Sequence, residues 1–155
     1  VPFLLYSIKD ELQDWFVYSD GNILYNSSLL HKMKLNNGKG RYLVNLALSS
    51  KDYAPTHSQV TKYRNRVYTI DTRLSSMVDD VKKTQHIKSY YSLGLITINP
   101  SIFLLIPEFA HKRDLDYVVK DIFDSNKHSV IGTVYTGPWI SIHTIKDLER
   151  FSVKC

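Results

Sequence analysis

The sequence predicts an α/β domain with a mixed sheet flanked by helices, on three observations. Leu115, Val118, Val119, Ile122 and Phe123 recur at i, i+3, i+4, i+7 and i+8, the period of an amphipathic helix. "RYLVNLALS" (41–49) is dense in apolar residues, as a strand covered on both faces must be. "SQVTKYRNRVYTID" (58–71) sets two β-branched and aromatic runs around the polar turn Tyr63-Arg64-Asn65-Arg66, a hairpin pattern.

The remaining elements follow in chain order. Leu4, Leu5, Ile8 and Leu12 form one helical face. "WFVY" (15–18) is a short aromatic strand, and Ser19-Asp20-Gly21-Asn22 ends it with turn chemistry. "YNSSLLHKM" (25–33) opens a helix with Asn26, Ser27 or Ser28 as N-cap, and "NNGKG" (36–40) stops it. Residues 72–86 are polar and carry no clear period. "IKSYYSLGLITINP" (87–100) is a long strand interrupted by Gly94, and "PSIFLLIP" (100–107) is a short helix with proline at its first position. Asp114 lies near the positive end of the helix that follows. "HSVIGTVYTG" and "PWISIH" are closing strands. "TIKDLERF" (144–151) is a last helix, with Thr144 as N-cap and Asp147 three residues on in a capping-box arrangement.

The 155 residues suit one domain over 1–155 with a moderate core. No run approaches the roughly 18–20 apolar residues of a membrane span, and the N-terminal stretch lacks signal-peptide chemistry, so the expectation is a cytoplasmic protein with no membrane contact. Cys155 is the only cysteine, which excludes an internal disulfide or a cysteine zinc site. The formal charge of +5 is uneven: residues 31–90 hold 12 Lys/Arg against 4 Asp/Glu. That basic middle suits anionic partners, and the hairpin tip, where Tyr63 interleaves with Arg64 and Arg66, is the candidate nucleic-acid contact.

The common catalytic signatures fail one by one. The histidines (31, 57, 86, 111, 128, 143) show no HxxxH or HxH spacing. No GxSxG elbow is present, and "NNGKG" lacks the GxxxxGK[ST] of a phosphate loop. The acidic turn after the first strand remains, because a carboxylate at a strand's C-terminal end is where α/β proteins often hold a metal or phosphate.

Several stretches taken together carry a resemblance: "LQDWFVYSDGNIL", "LLHKMKLNNGKGRYLVNLALS", "GLITINPSIFLLIPEF", "LDYVVKDIF" and "SVIGTVYTGPWISIHTIKDLERF". In this order they resemble the sugar-1-phosphate nucleotidyltransferases, or sugar-nucleotide pyrophosphorylases. That family has a strand ending in "NGDxL", a "PxIFxxIP" segment, a helix ending in "DLF" or "DIF", and a Trp-led strand before a Thr-capped helix. The resemblance implies a Rossmann-like, GT-A-like fold. It also implies transfer of a nucleotidyl group to a sugar 1-phosphate with Mg²⁺, which neutralises charge in the transition state.

The family's "GxGTRLxPLT" phosphate loop has no counterpart here, so the expectation is a truncated domain that begins just before the family's fourth strand. Aligned without gaps, Gly21 falls on the family glycine and Asn22 on its metal-binding aspartate. Ser141 falls on the second metal aspartate, and Gly94 on the glycine of the sugar-site strand. Asp71-Thr72-Arg73 stands for "EKP", leaving Arg73 to offer charge where a lysine meets phosphate. Asp20 could replace the lost carboxylate, but it lies two residues, roughly 6.6 Å, back along the strand.

The resemblance therefore implies a chain that is not catalytic alone and needs no cofactor, with Asp20, Asn22 and Ser141 as vestigial metal positions. It also implies a strand edge left open at 15–18, to be covered by a second copy or a partner chain. One alternative is the C-terminal half of a split nucleotidyltransferase, binding nucleotide and sugar phosphate and using Mg²⁺ once assembled. The other is a basic nucleic-acid-binding module.

Overall fold

A computed structural model of the chain describes residues 2–37, 42–50, 59–63, 66–71, 87–105 and 115–152. Helix α1 (Pro2–Ser7) and a 3-10 turn (Lys9–Glu11) precede strands β1 (Phe16–Ser19) and β2 (Ile23–Tyr25). Helix α2 (Ser28–Asn37) leads to β3 (Val44–Ser49), the hairpin β4 (Gln59–Tyr63) and β5 (Arg66–Asp71), and the long β6 (Ile87–Ile98). A 3-10 helix (Pro100–Leu104), α3 (Leu115–Ser125), β7 (Val130–Val134), β8 (Trp139–Ser141) and α4 (Ile145–Ser152) complete the order.

The main sheet is mixed. Its order is β5-β4-β6-β3-β7, with β1 also paired to β6. β3 is antiparallel to β6 and parallel to β7. A second ribbon joins β2 to β8.

β6 organises the sheet through one irregularity. Between Leu46↔Ile96 and Leu48↔Ser92 the register with β3 shifts, so Leu93, Gly94 and Leu95 bulge opposite Ala47. Gly94 takes φ +71 there, a conformation that suits a residue without Cβ. On its other side β6 pairs with β4 through Ile87–Tyr91 and with β1 through Leu95–Ile98, so the bulge marks the change of partner. The interruption expected at Gly94 is thus a bulge within one continuous strand.

Alternation along β3 feeds two cores. Val44, Leu46 and Leu48 join a cluster with Ile96, Ile98, Ile102, Val60, Val67 and the inner face of α3. Ala47 joins the opposite cluster with Leu29, Met33, Leu93, Leu95, Tyr135 and Trp139. All five periodic residues of α3 are buried, each contributing about 1.5–3 kcal/mol relative to exposure.

Between these apolar layers Asn45, fully buried, donates to Asn37 Oδ1 at 2.8 Å and accepts from Thr133 Oγ1 at 2.8 Å. Thr97 Oγ1 also donates to Asn37 Oδ1, at 2.9 Å. This network ties α2 to β3, β6 and β7, and satisfies groups that would otherwise be costly to bury.

Several expectations are corrected in detail. The N-terminal helix breaks after Ser7: Leu5 and Leu12 pack on the core, whereas Leu4 is 65% and Ile8 37% exposed. The proline-led segment is a 3-10 helix, with Asn99 Oδ1 accepting from Ser101 N–H at 2.9 Å. The aromatic strand sits one residue later than 15–18, and β2 had no counterpart in the sequence reading. Residues 72–86 and the end of "PSIFLLIP" lie outside the described residues, as do 38–40 of the "NNGKG" stop.

Candidate functional site

The site forms where β1 hands the chain to the β2/β8 ribbon. β1 ends at Ser19, and the Asp20 N–H still donates to Gly94 O at 2.9 Å. The chain then turns, with the Ile23 N–H donating to Asp20 O at 3.4 Å. Ile23 pairs with Ser141, and the Ile142 N–H donates to Asn22 O at 2.7 Å, which sets Asn22 beside the end of β8. Trp139 anchors that strand: it is buried, and its indole N–H donates to Ser49 Oγ at 3.1 Å.

Asn22 and Ser141 are thereby brought together from positions 119 apart in the chain, Nδ2 to Oγ at 3.4 Å. His143 closes the group. Its Nε2 lies 2.8 Å from Ser141 Oγ, and its Nδ1 lies 3.4 Å from Asn22 Nδ2. With Asn22 Nδ2 as donor, Nδ1 is the acceptor, which leaves Nε2–H to donate to Ser141 Oγ. The His143 backbone is held in turn, since its N–H donates to Asp147 Oδ2 at 3.1 Å. Asp147 is the expected capping-box partner: it accepts from Thr144 N–H at 2.9 Å, and its own N–H donates to Thr144 Oγ1 at 3.3 Å.

This donor set does not fit magnesium. Mg²⁺ takes anionic oxygens in near-octahedral array. The corner instead presents an amide, a hydroxyl and an imidazole that bond one another. Asp20, the nearby carboxylate in sequence, is otherwise engaged. Its Oδ1 accepts from Tyr18 OH at 3.2 Å, and its Oδ2 lies 2.3 Å from where a Cβ on Gly94 would be. Among the described residues no group of three or more His, Cys, Asp or Glu side chains could hold a metal ion.

The other sequence candidates scatter. Gly94 is in the site, beneath the Asp20 carboxylate and Ile23. Gly21 is exposed, with open space where a Cβ would point. Asp71 ends β5, paired with Gln59. Tyr63 and Arg66 face each other in register at the hairpin end. Arg64 and Arg73 lie outside the described residues. His143 is the residue that sequence reasoning missed. A search for paired histidines could not find it; "SIH" sets His143 two residues after Ser141, just past the end of β8.

The fold of this chain is similar to that of solved nucleotidyltransferases. A Bacillus anthracis protein assigned as a glucose-1-phosphate thymidylyltransferase, solved with a sucrose, superposes with TM-score 0.71 at 14% identity; the match covers 99% of this chain and 60% of that one. The inositol-1-phosphate CTP transferase of T. maritima superposes with TM-score 0.68 at 18% identity, covering 97% of this chain and 58% of that one. The chain therefore spans about 60% of the length of these solved neighbours. No protein-family profile and no curated protein matches the sequence. No helix among the described residues is long and apolar enough to cross a membrane.

Proposed function

We propose that this chain keeps the nucleotidyltransferase scaffold without carrying out Mg²⁺-dependent nucleotidyl transfer by itself, and that it acts through association with a second copy or a partner chain. The observation that carries this is the Asn22–Ser141–His143 cluster. At the two positions where the sequence resemblance implies metal carboxylates, an amide and a hydroxyl bond each other and an imidazole. Losing two negative charges removes the attraction a divalent cation needs, and phosphoryl-type transfer depends on that cation to offset charge in the transition state. Asp20 over Gly94 supports the same reading, because the carboxylate fills space beside the glycine that the resemblance assigns to the sugar site.

The test is direct. The purified chain, incubated with a nucleoside triphosphate, a sugar 1-phosphate and Mg²⁺, forms no nucleotide sugar and releases no pyrophosphate. Formation of either product that is lost in an Asn22→Ala variant contradicts the proposal.

The second reading, a partner chain completing a split enzyme, rests on the likeness of the fold to solved nucleotidyltransferases. It requires activity to emerge on mixing with such a partner.

A further inference from the structure

The edge of β7 turned away from β3, which β5 also approaches, carries two ammonium groups with no role in the site above. The Tyr135 N–H donates to Leu48 O at 2.8 Å, so by strand alternation the backbone groups of Gly132 and Val134 face away from β3. Lys62, from β4, donates to Gly132 O at 2.7 Å. Lys32, from α2, donates to Val134 O at 2.8 Å. Two residues of strand separate those carbonyls by roughly 6.6 Å. Two lysines from different elements therefore converge on one short stretch of edge.

Lys62 is unusual for a lysine. It is 7% exposed, and its ammonium also lies 5.9 Å from the centroid of the Tyr90 ring. Among the described residues no carboxylate pairs with it. Burial pushes its ammonium below the usual lysine range, and the charge of Lys32 pushes it further. A buried cation is normally retained with an anion. Each ammonium has three donors and directs one of them at a carbonyl, which leaves two to offer. The Val134 N–H, between the two carbonyls, points to the same edge.

We propose that Lys32, Lys62 and the Gly132–Val134 edge of β7 form a binding site for a phosphate group. Two ammoniums anchored on carbonyls two residues apart offer their remaining donors to one tetrahedral oxyanion, with the backbone N–H between those carbonyls as a third donor. Exposed Lys32 is the entrance and buried Lys62 the floor. The competing account is that the lysines only blunt a strand edge.

The experiment follows the thermal midpoint of the full chain in rising sodium phosphate, with ionic strength held constant by sodium chloride, and repeats it with ADP. The wild type gives a saturable rise. Lys32→Ala and Lys62→Met each shift the half-saturating concentration upward by about tenfold, the loss of one charge-assisted contact. Lys34→Ala, which removes an exposed charge from the same helix, responds like the wild type. Should Lys62→Met fail to fold, the exposed Lys32→Ala decides alone. Tighter binding of ADP with the same lysine dependence marks the phosphate as part of a nucleotide, and equal or weaker binding marks it as the free ion. A rise that never saturates, or one that Lys32→Ala leaves intact, overturns the proposal and leaves edge capping.

Discussion

Gly94 carries two demands at once. Its φ of +71 lies where L side chains are strained, and a methyl there would sit 2.3 Å from Asp20 Oδ2 and 2.6 Å from Ile23 Cδ1. Gly94→Ala is therefore expected to destabilise the chain by about 1–3 kcal/mol, part from the left-handed backbone and part from crowding. Urea midpoints measure it, and adding Asp20→Ala should recover the part of the crowding due to Asp20 but neither the part due to Ile23 nor the backbone share. An unchanged midpoint in the single variant would remove the strain from the account. This glycine was legible in the sequence as a break in an apolar strand, and the resemblance gave it a place. What the break does was not legible, because a bulge is defined by the partner strand that β6 bypasses. The metal corner shows the same division. Asn22 and Ser141 could be aligned to their positions, but the bond to His143 depends on the ribbon that brings residue 22 beside 142.

At the scale of elements, sequence and structure agree where one chain segment decides its own pattern. The five periodic apolar residues of α3, the two-faced β3 and the Thr144–Asp147 box are all local chemistry, and all are present. Failures fall where pairing decides. β2 is three residues long and exists through β8, so no period within it could announce it. The apolar face drawn through Leu4 and Ile8 fails because the helix stops after Ser7. β1 has a further consequence. Since the Asp20 N–H meets Gly94 O, alternation turns the backbone groups of Val17 and Ser19 away from β6, toward an edge that no described strand covers. Val17 is also 49% exposed. Such an edge pairs with other strands. Sedimentation at micromolar concentration should show a self-associated species, and Val17→Pro, which deletes an outward donor without touching the β6 ladder, should shift it toward monomer. A wild-type chain that is monomeric throughout would contradict this.

Across the whole molecule the scaffold and its chemistry separate. Two buried layers around β3 and β6, joined by the Asn37–Asn45–Thr97–Thr133 network, hold the fold. The corner that this scaffold presents is an amide, a hydroxyl and an imidazole bonded to one another, and the likeness to the two nucleotidyltransferases is one of architecture. The most direct test is divalent cation binding, with Mn²⁺ as probe, read by electron paramagnetic resonance on the wild type and on Asn22→Asp/Ser141→Asp. The wild type is expected to show no micromolar Mn²⁺ site, and the double variant at least about tenfold tighter binding from the two restored charges. A stoichiometric micromolar site in the wild type that Asn22→Ala abolishes would contradict it.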